Sequence, residues 1–225
     1  LWDWMDMTGD GYLGPGDVIF MMDKKTGDIL DFYVESLSTD IWVTQKICGV
    51  DITNVVPWFK NRVINGVYRA WTVPANPVQV LVTLHNNGTI PLNCTVNVYC
   101  FNATFLYLIG TQDVVNLPPC NTITLAFNWN VAALWANTTY TLKANATCPC
   151  TAKDEFVYGP VKVRLWGDVD DNGAITILDI KKVKLAYSDL IDEPFADLDG
   201  DCDVDILDLK KEKLIYSKLI SPFGP

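Results

Sequence analysis

Residues 78–84 read Val-Gln-Val-Leu-Val-Thr-Leu, and apolar side chains occupy positions 78, 80, 82 and 84. Because a β-strand points successive side chains to opposite faces, this period of two predicts a strand that is buried on one face. The same alternation recurs in later segments, at residues 94–100, 123–129, 140–146 and 161–165. Turn-forming residues separate these segments, so residues 77–165 are expected to form consecutive antiparallel strands of a β-sandwich.

These strand segments also resemble the CARDB type of immunoglobulin-like domain, a cell-adhesion-related family. The resemblance rests on Val-Leu-Val-Thr-Leu-His-Asn-Asn-Gly-Thr at 80–89, Val-Asn-Leu-Pro-Pro at 115–119 and Thr-Tyr-Thr-Leu-Lys-Ala at 139–144. It implies a spacer or adhesion module of a secreted surface protein. With a strand predicted at residues 40–47, the domain would span 26–165 and carry an insertion at 49–76 relative to the family.

A direct repeat follows the strand segments, and its two copies are offset by 29 residues. Residues 168–179 read Asp-Val-Asp-Asp-Asn-Gly-Ala-Ile-Thr-Ile-Leu-Asp, and residues 197–208 read Asp-Leu-Asp-Gly-Asp-Cys-Asp-Val-Asp-Ile-Leu-Asp. Oxygen-bearing side chains recur at loop positions 1, 3, 5, 9 and 12, which is the EF-hand pattern for calcium. The predicted ligands are Asp168, Asp170, Asn172, Thr176 and Asp179 with the Ala174 carbonyl, and Asp197, Asp199, Asp201, Asp205 and Asp208 with the Asp203 carbonyl.

Each loop closes with Asp and precedes a single helical segment, so residues 166–225 resemble a type I dockerin. That resemblance implies calcium as the cofactor and a cohesin-like partner, which would contact loop positions 10 and 11. These positions are Ile177-Leu178 and Ile206-Leu207, and their packing against the β domain is favoured over an apolar docking face. Position 6 is Gly173 in the first loop but Cys202 in the second, so the second loop is expected to bind more weakly or to curl differently.

A third candidate loop lies near the other end of the sequence, at residues 6–17. Its candidate ligands are Asp6, Thr8, Asp10 and Asp17, with the carbonyl of Tyr12, and the alternative is a turn rich in Gly and Asp. Residues 1–25 are therefore predicted to form an N-terminal calcium-loop unit. Since this loop has no evident partner loop in its own chain, it is expected either to contact a second copy head to tail or to fold back onto its own sandwich.

Five N-x-Thr sequons fall between residues 87 and 147, and this clustering indicates covalent N-glycans on an extracellular surface. The acceptors are Asn87, Asn93, Asn102, Asn137 and Asn145. The alternative is a Thr-rich β domain that contains the pattern by chance. Seven cysteines without a CxxC pair favour disulfides in the middle domain over free buried thiols, and the odd number leaves at least one thiol unpaired. Both signals predict a secreted protein, extracellular or at the cell surface.

Charge, hydropathy and motif content argue against a nucleic-acid binder, a membrane-spanning protein and an enzyme. The formal net charge is −10, and residues 167–225 contain 14 acidic against 7 basic residues. A nucleic-acid partner would require a basic face, and a membrane span would require a long apolar run, so neither is expected. No enzyme is expected either, because His85 is the single histidine and no nucleophile or phosphate-loop motif occurs. The tryptophans are assigned to the core in preference to a polysaccharide-binding platform.

Together these patterns predict a mainly β fold, an immunoglobulin-like β-sandwich with small α-helical, EF-hand or dockerin-like calcium units at the two ends. The favoured function is a non-enzymatic structural subunit of an extracellular filament or surface assembly, stabilised by calcium and joined head to tail. One alternative is a carbohydrate-binding or adhesion module attached to a scaffold by its dockerin. Another is the C-terminal fragment of a larger secreted enzyme.

Overall fold

The computed structural model describes residues 2–5, 18–22, 29–30, 47–69, 71 and 76–224. Within these ranges the strands come first along the chain and two α-helices follow, so the protein is mainly β with a helical C-terminal part. No helix in the described part is long and apolar enough to cross a membrane.

The strands form three sheets. A small antiparallel sheet contains β1 (Trp2–Met5), β2 (Val18–Met22) and β3 (Ile29–Leu30). A four-stranded sheet contains β4 (Val50–Phe59), β5 (Arg62–Val63), β7 (Gln79–Asn86) and β10 (Thr122–Asn128), in the order β10-β7-β4-β5. A five-stranded sheet contains β6 (Gly66–Tyr68), β8 (Leu92–Phe101), β9 (Leu106–Leu117), β11 (Thr138–Thr147) and β12 (Lys153–Arg164), in the order β6-β12-β11-β8-β9.

The two larger sheets pack on one another and enclose the core. Strand β4 contacts β11 and β12 of the other sheet, and β10 contacts β9. The predicted alternation is confirmed, because its apolar positions are buried, except the half-buried Ile123, and the residues between them are at least partly exposed, except the buried Arg164. The buried positions include Val78, Val80, Val82 and Leu84, then Val96 and Val98, Tyr140 and Leu142, and Val161 and Val163.

Two disulfides join the segments around this core. One links Cys48 to Cys150, and the other links Cys94 to Cys148. The prediction of disulfides in the middle domain is therefore confirmed, and three cysteines of the described chain remain free, namely Cys100, Cys120 and Cys202. Disulfides persist in oxidising compartments, so this pair indicates an extracellular or otherwise oxidising environment.

The segment 49–76, expected to be an insertion, contributes strands to both larger sheets. Strand β4 is ten residues long and pairs antiparallel with β7, while β6 pairs parallel with β12. Burial along β4 alternates less regularly than burial along β7, because a register shift in their pairing falls between Ile52 and Asn54. Residues 40–46 of the predicted first strand lie outside the described residues.

The expectation of an α-helical N-terminal unit is wrong for the part that is described. Val18–Met22, expected to follow the loop at 6–17, forms β2 and pairs antiparallel with β1. Its sequence Val-Ile-Phe-Met-Met is rich in β-branched and aromatic residues, which favour strands over helices. The candidate ligands Asp6, Thr8, Asp10, Tyr12 and Asp17 lie outside the described residues.

The C-terminal part contains α1 (Ile177–Tyr187) and α2 (Ile206–Tyr216), which pack on one another. Each helix begins two residues before the end of its Asp-rich loop, as the repeat predicts. Thr176 and Asp205 are the N-caps, and each forms a capping box with the aspartate three residues later. The repeat therefore places the last loop residues, Asp179 and Asp208, in the first turn of a helix.

Candidate metal centre

The first loop folds around two buried carboxylates, Asp168 and Asp179. Asp168 accepts hydrogen bonds from the backbone N–H groups of Asn172 (3.0 Å) and Gly173 (2.8 Å). Asp179 accepts from the backbone N–H groups of Asp170 (3.0 Å) and Thr176 (2.7 Å). These bonds join both ends of the loop to its middle and curl it tightly around its own carboxylates.

The second loop repeats this arrangement with Asp197 and Asp208, both fully buried. Asp197 accepts from the N–H groups of Gly200 (2.7 Å) and Cys202 (3.1 Å). Asp208 accepts from the N–H of Asp205 at 2.8 Å, and from the N–H groups of Leu198 and Asp199 at 2.7 and 3.3 Å. The two copies of the repeat therefore adopt the same local fold.

A third aspartate completes each carboxylate cluster. Carboxylate oxygens of Asp168, Asp170 and Asp179 all lie within 4.8 Å of one another, and so do those of Asp197, Asp199 and Asp208. A further set in the second loop joins Asp203, Asp205 and Asp208. Like charges this close and this buried oppose one another unless a cation or protons neutralise them.

The pKa values report this electrostatic cost. Burial raises the pKa of Asp168, against the lowering effect of its backbone hydrogen bonds, and the charge of Asp179 raises it further. Burial likewise raises the pKa of Asp208 to about 6. At the exposed end of the second loop, the charge of Asp201 is the main cause that raises the pKa of Asp203. A bound cation would relieve each of these penalties.

Both loops need two left-handed backbone positions, and each loop supplies glycine at only one of them. At position 4, Asp171 has φ 58° and Gly200 has φ 79°; at position 6, Gly173 has φ 85° and Cys202 has φ 83°. Cys202 therefore adopts the conformation of Gly173, and the expectation that the second loop curls differently at this residue is wrong. Each loop instead keeps one non-glycine residue in a strained conformation.

The remaining predicted ligands lie at the more open side of the loops. Asn172 and Asp201 are exposed, and each accepts a hydrogen bond from the N–H group two residues later, at 2.9 and 3.0 Å. One oxygen of Asp199 is buried and has no hydrogen-bond partner. Three carboxylates of each loop are thus close in space, and the other predicted side-chain ligands are close to them in sequence. The role of the Ala174 and Asp203 carbonyls as calcium ligands stays a prediction.

Aromatic residues fix the second loop to the β layers. The indole N–H of Trp71 donates to the backbone carbonyl of Asp197 (2.9 Å), and that of Trp166 donates to the carbonyl of Leu198 (2.8 Å). The Trp71 ring stacks between Phe59 and Phe195, with ring centroids 4.3 and 5.1 Å away. The start of the second loop is therefore anchored in the core of the molecule.

Two charged residues near the loops were missed by the sequence reasoning. Glu212 of α2 is fully buried, neither of its carboxylate oxygens has a hydrogen-bond partner, and burial together with the charges of Asp179 and Asp168 raises its pKa to about 8. Lys60 forms an ion pair with Asp197. The repeat gives a signal for Glu212 only, because the equivalent residue of the first copy, 29 positions earlier, is the apolar Val183.

The apolar residues at loop positions 10 and 11 are widely exposed, which disagrees with the favoured expectation that they pack against the β domain. Ile177, Leu178, Ile206 and Leu207 are 62%, 54%, 43% and 48% exposed. They lie in the first turn of each helix. The alternative expectation, an exposed apolar face, agrees with these exposures.

The five sequon asparagines lie at different depths. Asn87, Asn93 and Asn137 are exposed, whereas Asn102 and Asn145 are partly buried. Asn145 lies in β11 between β8 and β12, and its side-chain oxygen is buried without a partner. The side-chain amide of Asn87 donates to Asp51 (2.7 Å). Exposure therefore favours three of the five acceptors.

Comparisons with known proteins add little to this description. No protein-family model matches the chain, and no curated protein sequence matches it. Solved structures with partial similarity include a Listeria innocua beta-glucosidase in complex with glucose (12% identity, TM-score 0.33, 55% of this chain and 17% of that one). Others are the Streptomyces venezuelae beta-glucosidase DesR (13%, 0.30, 50% and 15%) and a Bifidobacterium adolescentis GH3 beta-glucosidase (17%, 0.30, 56% and 18%). The chain thus spans less than a fifth of each of these structures, and TM-scores this low support no conclusion about fold or activity.

Proposed function

We propose that residues 166–225 form a dockerin-like module that binds two calcium ions, in a secreted, non-enzymatic protein whose β layers are an immunoglobulin-like sandwich of the CARDB type. The observation that carries this proposal is the pair of buried carboxylate clusters, repeated 29 residues apart, in which the backbone N–H groups at loop positions 3, 6 and 9 donate to equivalent aspartates. Two aspartates in each cluster are fully buried. Carboxylates buried together in this way are stable when they coordinate a metal.

The donor chemistry fits calcium. Each cluster consists of carboxylates, with side-chain oxygens of Asn172 and Thr176 nearby in the first loop and of Asp201 and Asp205 in the second. Hard cations such as calcium take oxygen ligands, whereas zinc favours nitrogen and sulfur. Bound calcium would supply positive charge that holds the loop closed. The aspartates fix the shape of the loop through the hydrogen bonds that they accept from its backbone N–H groups.

Calcium titration of the full chain tests the proposal. We expect wild-type protein to bind two calcium ions by isothermal titration calorimetry and to melt at higher temperature in calcium, because binding to the folded form alone adds stability. Asp168→Asn and Asp197→Asn should each remove one site. Asp189→Asn is the control, since it removes the same charge from an exposed residue of the module outside both loops. Two sites in all four proteins would contradict the assignment.

We also propose that N-glycans cover part of the β layers. The exposed acceptors Asn87, Asn93 and Asn137 support this, and the two disulfides agree with an oxidising compartment in which such modification occurs. Peptide mass spectrometry of protein from its native source should find sugar on at least three of the five asparagines. Unmodified peptides at all five positions would contradict glycosylation.

The exposed apolar pairs at the helix starts support a second proposal, that the module makes an intermolecular contact. We propose that this contact joins one chain to the N-terminal unit of a second copy, head to tail, in an extracellular filament or surface assembly. A cohesin-like partner is the alternative occupant that the dockerin resemblance implies. A polysaccharide ligand, the other alternative, has weaker support. Trp71 and Trp129 are buried, and among the tryptophans from residue 47 onward only Trp135 is widely exposed.

A further inference from the structure

The two calcium loops differ in the positive charges that reach their ligand carboxylates. In the second loop, Lys60 pairs with Asp197, and Lys211 approaches Asp199 to 2.9 Å. In the first loop, Lys162 and Arg164 contact Asp171 at 2.9 and 3.5 Å, and Asp171 is not one of the predicted ligands. Among the described residues, ion pairs therefore involve two predicted ligands of the second loop, whereas both pairs of the first loop are formed with Asp171.

Lys60 is held in this place by the β layers and not by the calcium module. It lies in the two-residue turn between β4 and β5, where Lys60 and Asn61 have φ of 50° and 59°. Positive φ at both turn residues is typical of a tight hairpin, which fixes the direction of the side chain's start. The ammonium also lies 5.9 Å from the ring centre of Phe59, which belongs to the aromatic stack with Trp71.

The ion pair is largely removed from water. The Lys60 side chain is 10% exposed and that of Asp197 is fully buried. Salt screens such a pair little, and each charge depends on the other because water does not replace the lost partner. Lys211 and Asp199 are more exposed, at 31% and 20%, so their contact is the weaker of the two.

We propose that Lys60 is the residue that sets the relative calcium affinities of the two loops. Its ammonium competes with calcium for the charge of Asp197, so the second loop binds calcium more weakly than the first despite its larger number of aspartates. Calcium in the second loop weakens the contact between Lys60 and Asp197, and the hairpin of β4 and β5 thereby senses occupancy of that loop. This inference rests on the proposed binding of two calcium ions.

The test is calorimetric titration of calcium into full-length protein and three lysine variants. Lys60→Met keeps most of the side-chain stem and removes the charge, and it should raise the affinity of the weaker site by about tenfold or more, because the repulsion between an ammonium and a divalent cation is lost. Lys60→Arg retains the charge and should leave that site weak. Lys162→Met is the matched control, since it removes a lysine–aspartate contact from the first loop without touching a predicted ligand.

The Asp168→Asn background assigns the sites. With the first loop disabled, the remaining calcium site should be the weak one, and Lys60→Met should strengthen it there too. Equal affinities in the wild type, or no more gain from Lys60→Met than from Lys162→Met, would overturn the role of Lys60 while leaving calcium binding intact. Wild-type protein that binds no calcium would overturn the proposed function, and this inference with it.

Discussion

At the scale of single residues, Glu212 is the clearest conflict between the repeat and its surroundings. The equivalent position of the first repeat holds Val183, which is fully buried in the core. Glu212 is equally buried, and the space next to it is so limited that a Cβ on Gly167 would approach its carboxylate to 2.7 Å. A buried carboxyl group without a partner is stable only when it holds its proton.

This position should make the stability of the calcium-free protein depend on pH. The folded pKa is raised from 4.5 to about 8, so the folded state binds more protons than the unfolded state between these values. Stability therefore falls as pH rises from about 4.5 to 8, by at most about 5 kcal/mol for this group. Glu212→Gln should remove that loss, because the amide resembles the protonated acid and does not titrate.

Urea unfolding in chelator at pH 5 and at pH 8 measures this effect. The Gln variant should be more stable than the wild type at pH 8, with a much smaller difference at pH 5. Glu155→Gln is the control, because Glu155 is half exposed and pairs with Lys143 on the surface. The same pH dependence in wild type and Glu212→Gln would refute the assignment.

Sequence reasoning found the loop ligands at this scale but missed the residues that modify them. A fixed spacing within 12 residues is visible in the chain itself, so Asp168 to Asp179 could be predicted. Lys60 and Asp197 are distant in sequence, and only the hairpin of the β layers brings them together. Gly200, at position 4 of the second loop, was also visible in the sequence, but the prediction for that loop rested on position 6 alone.

At the scale of elements, the anchor between the β layers and the second loop is the feature with most consequence. Trp71 is fully buried, stacks on two rings and donates its N–H to the carbonyl of Asp197. Trp71, which lies between β6 and β7, thus contacts the start of the second loop directly. Because Asp197 is the first residue of its loop, the position of the loop depends on this indole.

Trp71→Phe should therefore destabilise the protein and weaken calcium binding at the second loop alone. The ring stack would persist in part, but the carbonyl of Asp197 would lose its donor, at a cost of about 1–2 kcal/mol. Trp129→Phe is a matched control: Trp129 is also buried, but its N–H has no hydrogen-bond partner. Denaturant unfolding and calcium calorimetry should separate the two variants. Equal effects on calcium binding would contradict the anchoring role.

The elements themselves were predicted unevenly. Strands with regular alternation, such as β7 and β11, were recognised because one face is buried and the other is not. Strand β9 was not recognised, since it lies at the edge of its sheet and most of its residues are partly or fully exposed. Strand β2 was mistaken for a helix because it follows an EF-hand-like spacing, and that spacing does not determine the element after it. Both helices of the repeat were predicted, because the helical segment after each loop recurs in register with it.

In the molecule as a whole, calcium is expected to act together with the net charge. The net charge is −10, and half of the acidic residues lie in the C-terminal part. Without cations this part repels itself and any second copy that approaches it. Neutralisation of the loops by calcium reduces that repulsion around the exposed pairs Ile177-Leu178 and Ile206-Leu207. Calcium is therefore expected to favour association as well as folding.

We expect the protein to assemble head to tail in calcium. A contact between different surfaces of two copies is heterologous, and it gives open filaments unless the rotation closes a ring. The exposed apolar pairs are proposed as one side of this contact, and the unit at residues 1–25 as the other. Light scattering of the full chain should then show species that grow with protein concentration in calcium and dissociate in chelator.

Two changes should abolish this growth, each on one side of the contact. One is removal of residues 1–25, and the other is the double substitution Leu178→Ser and Leu207→Ser, at two of the exposed apolar positions. Leu106→Ser is the control, because Leu106 is 69% exposed but lies on β9, far in sequence from either surface. A monodisperse monomer at high concentration, unchanged by either alteration, would contradict self-assembly. The exposed pairs would then remain available to a cohesin-like partner, because calcium loading and self-association are separate properties of the module.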